Sequence, residues 1–235
     1  MECIHYNPKK KLSLLRAVAF DMDGVLLSTD KLHFRAWQEF TRRHGIPFTK
    51  FDNDKLLGLS RADSMDIVLS RSSRSFSPNE KTALCDEKNA LYRALIEKMT
   101  PDFVAPEVTV CLHTLRLKGW KLALASSSKN APLILDRTGL QVFFDVTVDG
   151  NDITHGKPDP EVYAKAAKAL NVPPDVCAAV DDAPAGIASA VAAGMTAIAV
   201  GPAAERHAAQ YCLSGLAALP ALLEKLNAAR DDEMV

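Results

Sequence analysis

Hydrophobic positions along the chain follow two patterns: short apolar runs that stop at polar residues, and longer stretches with helical spacing. Short runs of this kind predict strands buried in a parallel sheet, whereas apolar positions three or four residues apart predict helices. The predicted strands are Ala17–Phe20, Leu122–Ala125, Phe144–Val148, Val176–Val180 and Thr196–Val200. Helical spacing predicts the helices Val108–Lys118, Asn130–Thr138, Asp159–Leu170, Pro184–Ala193 and Leu216–Ala228. This alternation predicts an α/β fold with a Rossmann-like three-layer core, in which helices cover both faces of a parallel sheet.

One long segment after the first strand carries no strand pattern. Its helical stretches are Leu32–His44, Arg61–Leu69 and Glu80–Met99. We therefore predict that residues 1–30 and 101–235 form the α/β core, and that residues 31–100 form an inserted α-helical cap domain.

Composition narrows the class of protein. The chain has 235 residues and 48% hydrophobic content, which is enough for a core with an insertion. Its net charge of −1 predicts no nucleic-acid partner and no membrane partner. The five cysteines are scattered without a C-x-x-C pair, which favours a reduced, cytoplasmic protein. Lysines precede the apolar run Leu12–Phe20, but Arg16 interrupts it, so a core strand is predicted rather than a signal peptide. A monomer is expected, since no coiled-coil pattern is present.

Polar side chains follow three of the predicted strands at their carboxyl ends. Asp21 and Asp23 follow the first strand, Ser126–Ser128 follow the second, and Asp181 with Asp182 follow the fourth. Open parallel sheets bind ligands at that edge, so these segments are expected to converge. Several carboxylates crowded together repel each other and need a cation, and hard oxygen ligands suit Mg²⁺.

This chemistry gives each residue type a role. A carboxylate beside a phosphate acts as a nucleophile and forms an aspartyl-phosphate, and a second carboxylate nearby transfers protons. A serine hydroxyl and a lysine hold the remaining phosphate oxygens, and Lys157 in the segment Gly156–Pro160 is the candidate lysine. Alone, each has an ordinary alternative: D-x-D-G as a turn, Lys157 as surface charge, Asp181-Asp182 as a solvated helix start. Their order at successive strand ends favours the catalytic interpretation.

The combination resembles the haloacid dehalogenase superfamily over essentially the whole chain. The resemblance implies that Asp21 is the nucleophile, that Asp23 is the general acid/base, and that Ser126 and Lys157 bind phosphate. The presence of Asp23 also argues against dehalogenation, because the dehalogenases of this superfamily lack the second aspartate.

The resemblance also implies a Mg²⁺ site, with metal-site residues Asp21, Asp23, Asp181 and Asp182. Asp181 stands where a Glu is more usual in this pattern. Its shorter side chain leaves open whether it contacts the metal directly or through water.

The helical segment narrows the resemblance to the β-phosphoglucomutases. Asp21–Trp37 resembles their D-x-D-G-V…T…H-F-R-A-W pattern, Gly58–Arg61 their G-[VI]-S-R segment, and Leu124–Asn130 their L-A-S-x-S-K-N. A Lys-Asn pair and Asp182-x-x-x-Gly-Ile also match. The substrate- and phosphate-binding residues implied are Thr29, His33, Trp37, Gly58, Arg61, Lys88, Ser126, Ser127, Lys129, Asn130 and Lys157.

Helical spacing gives these residues physical roles. His33 and Trp37 are four residues apart and share a helix face, and Arg61 and Lys88 are cations suited to a second phosphate. Each also has a plain structural alternative: His33 as an ordinary helix residue, Trp37 as core, Arg61 at a helix start after Ser60, and Lys88 as a solvated charge.

The expected activity is interconversion of β-glucose 1-phosphate and glucose 6-phosphate, through an aspartyl-phosphate and a β-glucose 1,6-bisphosphate intermediate. The alternative is a sugar-phosphate phosphatase of the same superfamily. A non-enzymatic sugar-phosphate sensor is disfavoured because Asp21 and Asp23 are both present.

Overall fold

The structure is a computed structural model that describes residues 14–56, 59–201, 204 and 209–232. Gly58, expected to bind substrate, lies outside the described residues. The chain divides into two compact units. The sheet unit comprises the residues up to Ser28 and those from Thr100 onwards, and the helical unit is Thr29–Met99. No described helix has both the length and the apolar character needed to cross a membrane.

The sheet unit contains a parallel sheet of six strands in the order β3-β2-β1-β4-β5-β6. Its strands are β1 (Ala17–Phe20), β2 (Lys121–Ala125), β3 (Val146–Val148), β4 (Cys177–Asp181), β5 (Thr196–Val200) and β6 (Tyr211–Leu213). The predicted α/β fold with a parallel sheet is confirmed, and the short edge strand β6 adds to the predicted strands.

Helices of both units follow the predicted pattern closely. In chain order they are α1 (Asp30–Arg43), α2 (Lys50–Asp54), α3 (Arg61–Leu69), α4 (Pro78–Ile96), α5 (Pro106–Leu117), α6 (Ala131–Thr138), α7 (Glu161–Ala169), α8 (Pro184–Ala192) and α9 (Leu219–Asp232). The five-residue helix α2 was not predicted.

The central strand β1 is buried along its whole length, as expected for a parallel strand with helices on both faces. On one face its side chains are only alanines, Ala17 and Ala19, and they belong to a buried cluster that includes residues of α7 and α8. On the other face Val18 and Phe20 are equally buried. Small side chains on the first face allow α7 and α8 to lie close against the sheet.

Strand register aligns the carboxyl ends of the central strands. Phe20, the last residue of β1, pairs with Leu124 of β2 and with Val180 of β4. The Asp21 N–H then donates to the Val180 carbonyl oxygen at 2.9 Å. The residues that follow β1, β2 and β4 therefore start from one edge of the sheet.

The helical unit has its own apolar core. Helix α4 packs against α1 and α3. The buried members of this core are Trp37, Phe40, Ile46, Leu56, Met65, Val68 and Leu69. Side-chain caps fix the helix starts: the Asp63 N–H donates to the Ser60 hydroxyl ahead of α3, and Ser77 with Glu80 forms a capping box ahead of α4.

Candidate active site

The loop after β1 presents the predicted nucleophile and acid/base residues. Met22, between Asp21 and Asp23, is completely buried and anchors the loop. Gly24 follows with φ +81°, and its N–H donates to the Leu27 carbonyl oxygen at 2.8 Å. This left-handed conformation favours glycine and turns the chain immediately after the second aspartate.

Lys157 forms hydrogen bonds with both Asp21 and Asp181, the last residue of β4. Its Nζ donates to Asp21 Oδ1 at 2.5 Å and to Asp181 Oδ2 at 2.8 Å. Burial opposes the charged form of Lys157, but Asp21 and Asp181 outweigh it and raise the pKa of this ammonium. The structure thus brings together three residues predicted from distant parts of the sequence.

Tyr163, which no sequence motif indicates, also belongs to this cluster. It lies on α7, is completely buried, and donates its hydroxyl hydrogen to Asp181 Oδ2 at 2.6 Å. Burial raises the pKa of Tyr163 well above its ordinary value, so the phenol keeps its proton and remains a donor. It lies within a predicted helix, and no spacing in the sequence relates it to Asp181.

Three carboxylates form a group suited to a cation. One oxygen each of Asp21, Asp181 and Asp182 lies within 4.8 Å of the others. Burial, opposed by Lys157 and reinforced by Asp181 and Asp23, raises the pKa of Asp21 to about 7. Burial and Asp181 raise the pKa of Asp182 to about 6. The single ammonium of Lys157 leaves negative charge uncompensated, and an all-oxygen donor set of this kind fits Mg²⁺.

Two glycines make room for these carboxylates. A Cβ on Gly24 would lie 2.0 Å from Asp182 Oδ2, and a Cβ on Gly186 would lie 1.9 Å from Asp181 Oδ2. Neither approach is possible with a side chain, so both positions require glycine for the aspartates to stay where they are. The backbone on two sides of the site is thus shaped around the carboxylates.

The loop after β2 supplies the predicted phosphate-binding residues. Ser126 is buried, and its Oγ accepts a hydrogen bond from the Ser128 N–H at 3.1 Å. Asn130 is also buried and precedes α6, and its N–H donates to Ser128 Oγ at 3.3 Å. Ser127 and Lys129 are exposed. The loop therefore has an ordered inner side at Ser126 and an accessible outer side.

In the helical unit, the buried Lys88 pairs with the partly buried His33. Lys88 Nζ lies 2.9 Å from His33 Nδ1 and 4.7 Å from the centroid of the Trp37 ring. Burial, together with Lys88 and Arg61, lowers the pKa of His33 to about 3, so His33 is neutral and Nδ1 accepts. Burial and Arg61 also lower the pKa of Lys88 to about 7. Lys88 is thus not the solvated helix charge that its position alone permitted.

The other predicted residues of the helical unit have mixed surroundings. Arg61 is exposed, and its guanidinium donates to Asn89 Oδ1 at 3.0 Å. Thr29 is fully buried immediately before α1. Trp37 is part of the apolar core, in edge contact with Phe40, which is the structural alternative weighed for it.

The parallel sheet with flanking helices and the carboxylate-lined sheet edge are features of an α/β enzyme. A family model described as haloacid dehalogenase-like hydrolase matches residues 15–194, and the chain belongs to this family.

Individual relatives agree with this assignment. The chain is 40% identical to a β-phosphoglucomutase of Bacillus subtilis over 189 residues, which is 80% of this chain and 84% of that protein. It is 32% identical to a phosphorylated carbohydrates phosphatase of Thermotoga maritima, over 77% of this chain and 82% of that protein. A crystal structure of β-phosphoglucomutase from Clostridium difficile superimposes with a TM-score of 0.80 at 31% identity, covering 94% of this chain and 99% of that one.

Proposed function

We propose that this protein is a β-phosphoglucomutase, which interconverts β-glucose 1-phosphate and glucose 6-phosphate through β-glucose 1,6-bisphosphate. The observation that carries the proposal is the buried Lys88 ammonium, which has no carboxylate partner among the described residues. A buried cation without a counter-ion is costly, and a bound anion would remove that cost. A bisphosphate has a second phosphate for this cation, whereas a monophosphate does not.

The chemistry is assigned to residues of the sheet unit. Asp21 carries the phosphoryl group, which passes to the 6-hydroxyl of β-glucose 1-phosphate while Asp23 takes the hydroxyl proton. After the bisphosphate turns round, Asp21 attacks the phosphorus at C1 and Asp23 returns the proton to the leaving anomeric oxygen. Lys157 and Ser126 hold the phosphoryl oxygens during both transfers.

The carboxylates of the sheet edge fit Mg²⁺ as the cofactor. Asp21 and Asp182 would hold it, with Asp23 and Asp181 completing the site. When bound, the ion neutralises charge on the transferring phosphoryl group and on the carboxylates around it.

We further propose that the helical unit is the cap that selects the substrate. Arg61 and Lys88 supply positive charge for the second phosphate, and Arg61 is suited to bidentate contact. His33, neutral and hydrogen-bonded to Lys88, fixes the position of that ammonium. Thr29, Gly58 and Trp37 are assigned to the same binding surface on the family resemblance.

The second candidate is a sugar-phosphate phosphatase. It is favoured by the similarity to the Thermotoga phosphatase named above and to a fructose-1-phosphate phosphatase of Escherichia coli at 28% identity. Both activities use the same residues of the sheet unit. They differ in whether water or a sugar hydroxyl accepts the phosphoryl group from Asp21.

One assay separates the two functions. The purified protein is incubated with β-glucose 1-phosphate, Mg²⁺ and a trace of β-glucose 1,6-bisphosphate, and products are followed by ³¹P NMR. Glucose 6-phosphate without equivalent inorganic phosphate supports the mutase. Inorganic phosphate in place of glucose 6-phosphate, and its release from other sugar phosphates tested in the same way, supports the phosphatase instead. The Asp21→Asn protein is the control and should form neither product.

A further inference from the structure

Tyr163 is a buried polar residue for which the proposed reaction has no assigned role. Its hydroxyl reaches Asp181 Oδ2 at 2.6 Å, and the centroid of its ring lies 4.9 Å from Lys157 Nζ. The Lys157 ammonium lies 3.5 Å from the same hydroxyl. One side chain of α7 thus contacts both the ammonium and the carboxylate that binds it.

The hydrogen bonds to Asp181 account for both of its oxygens. Oδ2 accepts from the Tyr163 hydroxyl and from Lys157 Nζ, and Oδ1 accepts from the Ala183 N–H at 3.0 Å. Gly186 of α8 lies against the same carboxylate, since a Cβ there would be 1.9 Å from Oδ2. Asp181 is therefore held in a single orientation, with Oδ2 directed to Lys157.

Lys157 depends on that orientation. Its flexible side chain has several rotamers, and the two carboxylates select the one in which Nζ lies between Asp21 and Asp181. If Asp181 rotated, Lys157 would lose its hydrogen bond to Asp181 and keep the one to Asp21. The Tyr163 hydroxyl opposes that rotation from a fully buried position on a rigid helix.

We propose that Tyr163 is a positioning residue that acts through Asp181, holding Lys157 aimed at the phosphoryl group carried by Asp21. In this arrangement Asp181 Oδ2 holds the ammonium, in addition to the place of Asp181 in the proposed cation site. The inference rests on the proposed phosphoryl-transfer function and is the same for a mutase and for a phosphatase.

The test is Tyr163→Phe in the full chain, because phenylalanine keeps the ring and removes only the hydroxyl. Asp181 Oδ2 keeps its bond to Lys157, so the fold should persist, as checked by circular dichroism and thermal unfolding. Affinity for inorganic phosphate at saturating Mg²⁺, measured by calorimetry, should fall about tenfold to a hundredfold, as expected when a charged hydrogen-bonded group loses its support. Affinity for Mg²⁺ alone should change less than about threefold, which is well below the loss expected for phosphate affinity. Tyr211→Phe, on the outermost strand β6, is the matched control and should change neither affinity.

A double-mutant cycle identifies the route. If Tyr163 acts through Asp181, Tyr163→Phe should add less than about twofold to the loss of phosphate affinity caused by Asp181→Asn. Fully additive losses, or a Tyr163→Phe protein with wild-type phosphate affinity, would overturn the proposal. These outcomes differ from failure of the proposed function itself, in which the wild-type protein would bind no phosphate with Mg²⁺ and turn over no sugar phosphate.

Discussion

Lys157 Nζ donates to Asp21 Oδ1 at 2.5 Å, although the two residues are 136 positions apart in the sequence. The contact places the ammonium beside the Asp21 carboxylate, which is the nucleophile of the proposed mechanism. It also means that the nucleophile is charged only at some cost, since burial and two nearby aspartates act against the single lysine. The protein therefore tolerates unfavourable electrostatics at this position, as functional sites often do.

Replacing Asp21 by Asn should separate stability from activity. The pKa of Asp21 is raised to about 7, so the folded state binds this proton more tightly than the unfolded state and loses stability as pH rises from about 4 to 7. At pH 8 the whole penalty is present. The Asp21→Asn protein without metal should therefore unfold with a free energy about 1–3 kcal/mol higher, measured by urea titration. Turnover should fall at least about 1,000-fold. Substantial remaining turnover would rule out the aspartyl-phosphate.

Gly24→Ala should damage the metal site, and Gly119→Ala provides a matched control. Both glycines have positive φ, +81° and +78°, so alanine costs about 1–2 kcal/mol of stability at either. A Cβ on Gly24 would overlap Asp182, whereas a Cβ on Gly119 would have no atom within 4 Å. Gly24→Ala should therefore lower kcat about 100-fold and weaken Mg²⁺ binding, whereas Gly119→Ala should lower stability alone. Equal activity of the two variants would contradict the packing argument.

Lys88→Met should bind the bisphosphate more weakly and yet be more stable. Burial lowers the pKa of Lys88 to about 7, so at pH 6 the folded protein carries an unfavourable charge. Removing it should raise the free energy of unfolding by about 1–3 kcal/mol at that pH. The Kd for β-glucose 1,6-bisphosphate should rise about tenfold to a hundredfold. Lys81→Met on the same helix, where the lysine is partly exposed and paired with Asp66, is the control and should leave that Kd unchanged.

Lys88 should also set the alkaline limit of activity. An anionic group needs the protonated lysine, whose fraction falls as pH rises through about 7. We expect kcat/KM for β-glucose 1-phosphate to decline above that pH, by up to about tenfold per pH unit. Arginine at this position stays charged, so Lys88→Arg should lose the decline, whatever its absolute rate. His33, with a pKa lowered to about 3, should add no step between pH 5 and 9, and His33→Gln should leave the profile's shape unchanged.

Much of the fold could be predicted because its elements obey strong local rules. Helix α3 has the predicted bounds, since the Ser60 cap marks its start. Helix α4 begins at Pro78, two residues before the predicted start, and the capping box of Ser77 was the signal for it. Helix α2 and strand β6 are too short for any periodicity to show. The start of α2 is marked only by the capping box of Thr49 and Asp52.

The candidate site likewise contains contacts that could be predicted from the sequence and contacts that could not. The rule that parallel strands present ligand-binding residues at their carboxyl ends predicted that Asp21 and Asp181 would meet, and they lie side by side. The contacts of Tyr163 and Gly186 with Asp181 could not be predicted. They depend on how closely two helices approach the sheet, and that distance is set by packing over the whole core.

The hydrogen bond from the Asp21 N–H to Val180 makes the nucleophile's own amide a part of the central sheet ladder. An amide in such a place exchanges its hydrogen with solvent only when the middle of the sheet opens. It is also attached to the residue that carries the phosphoryl group in the proposed cycle. A single nuclear-resonance signal therefore reports on global opening, through its exchange rate, and on the chemical state of the carboxylate, through its frequency, without any label on the substrate.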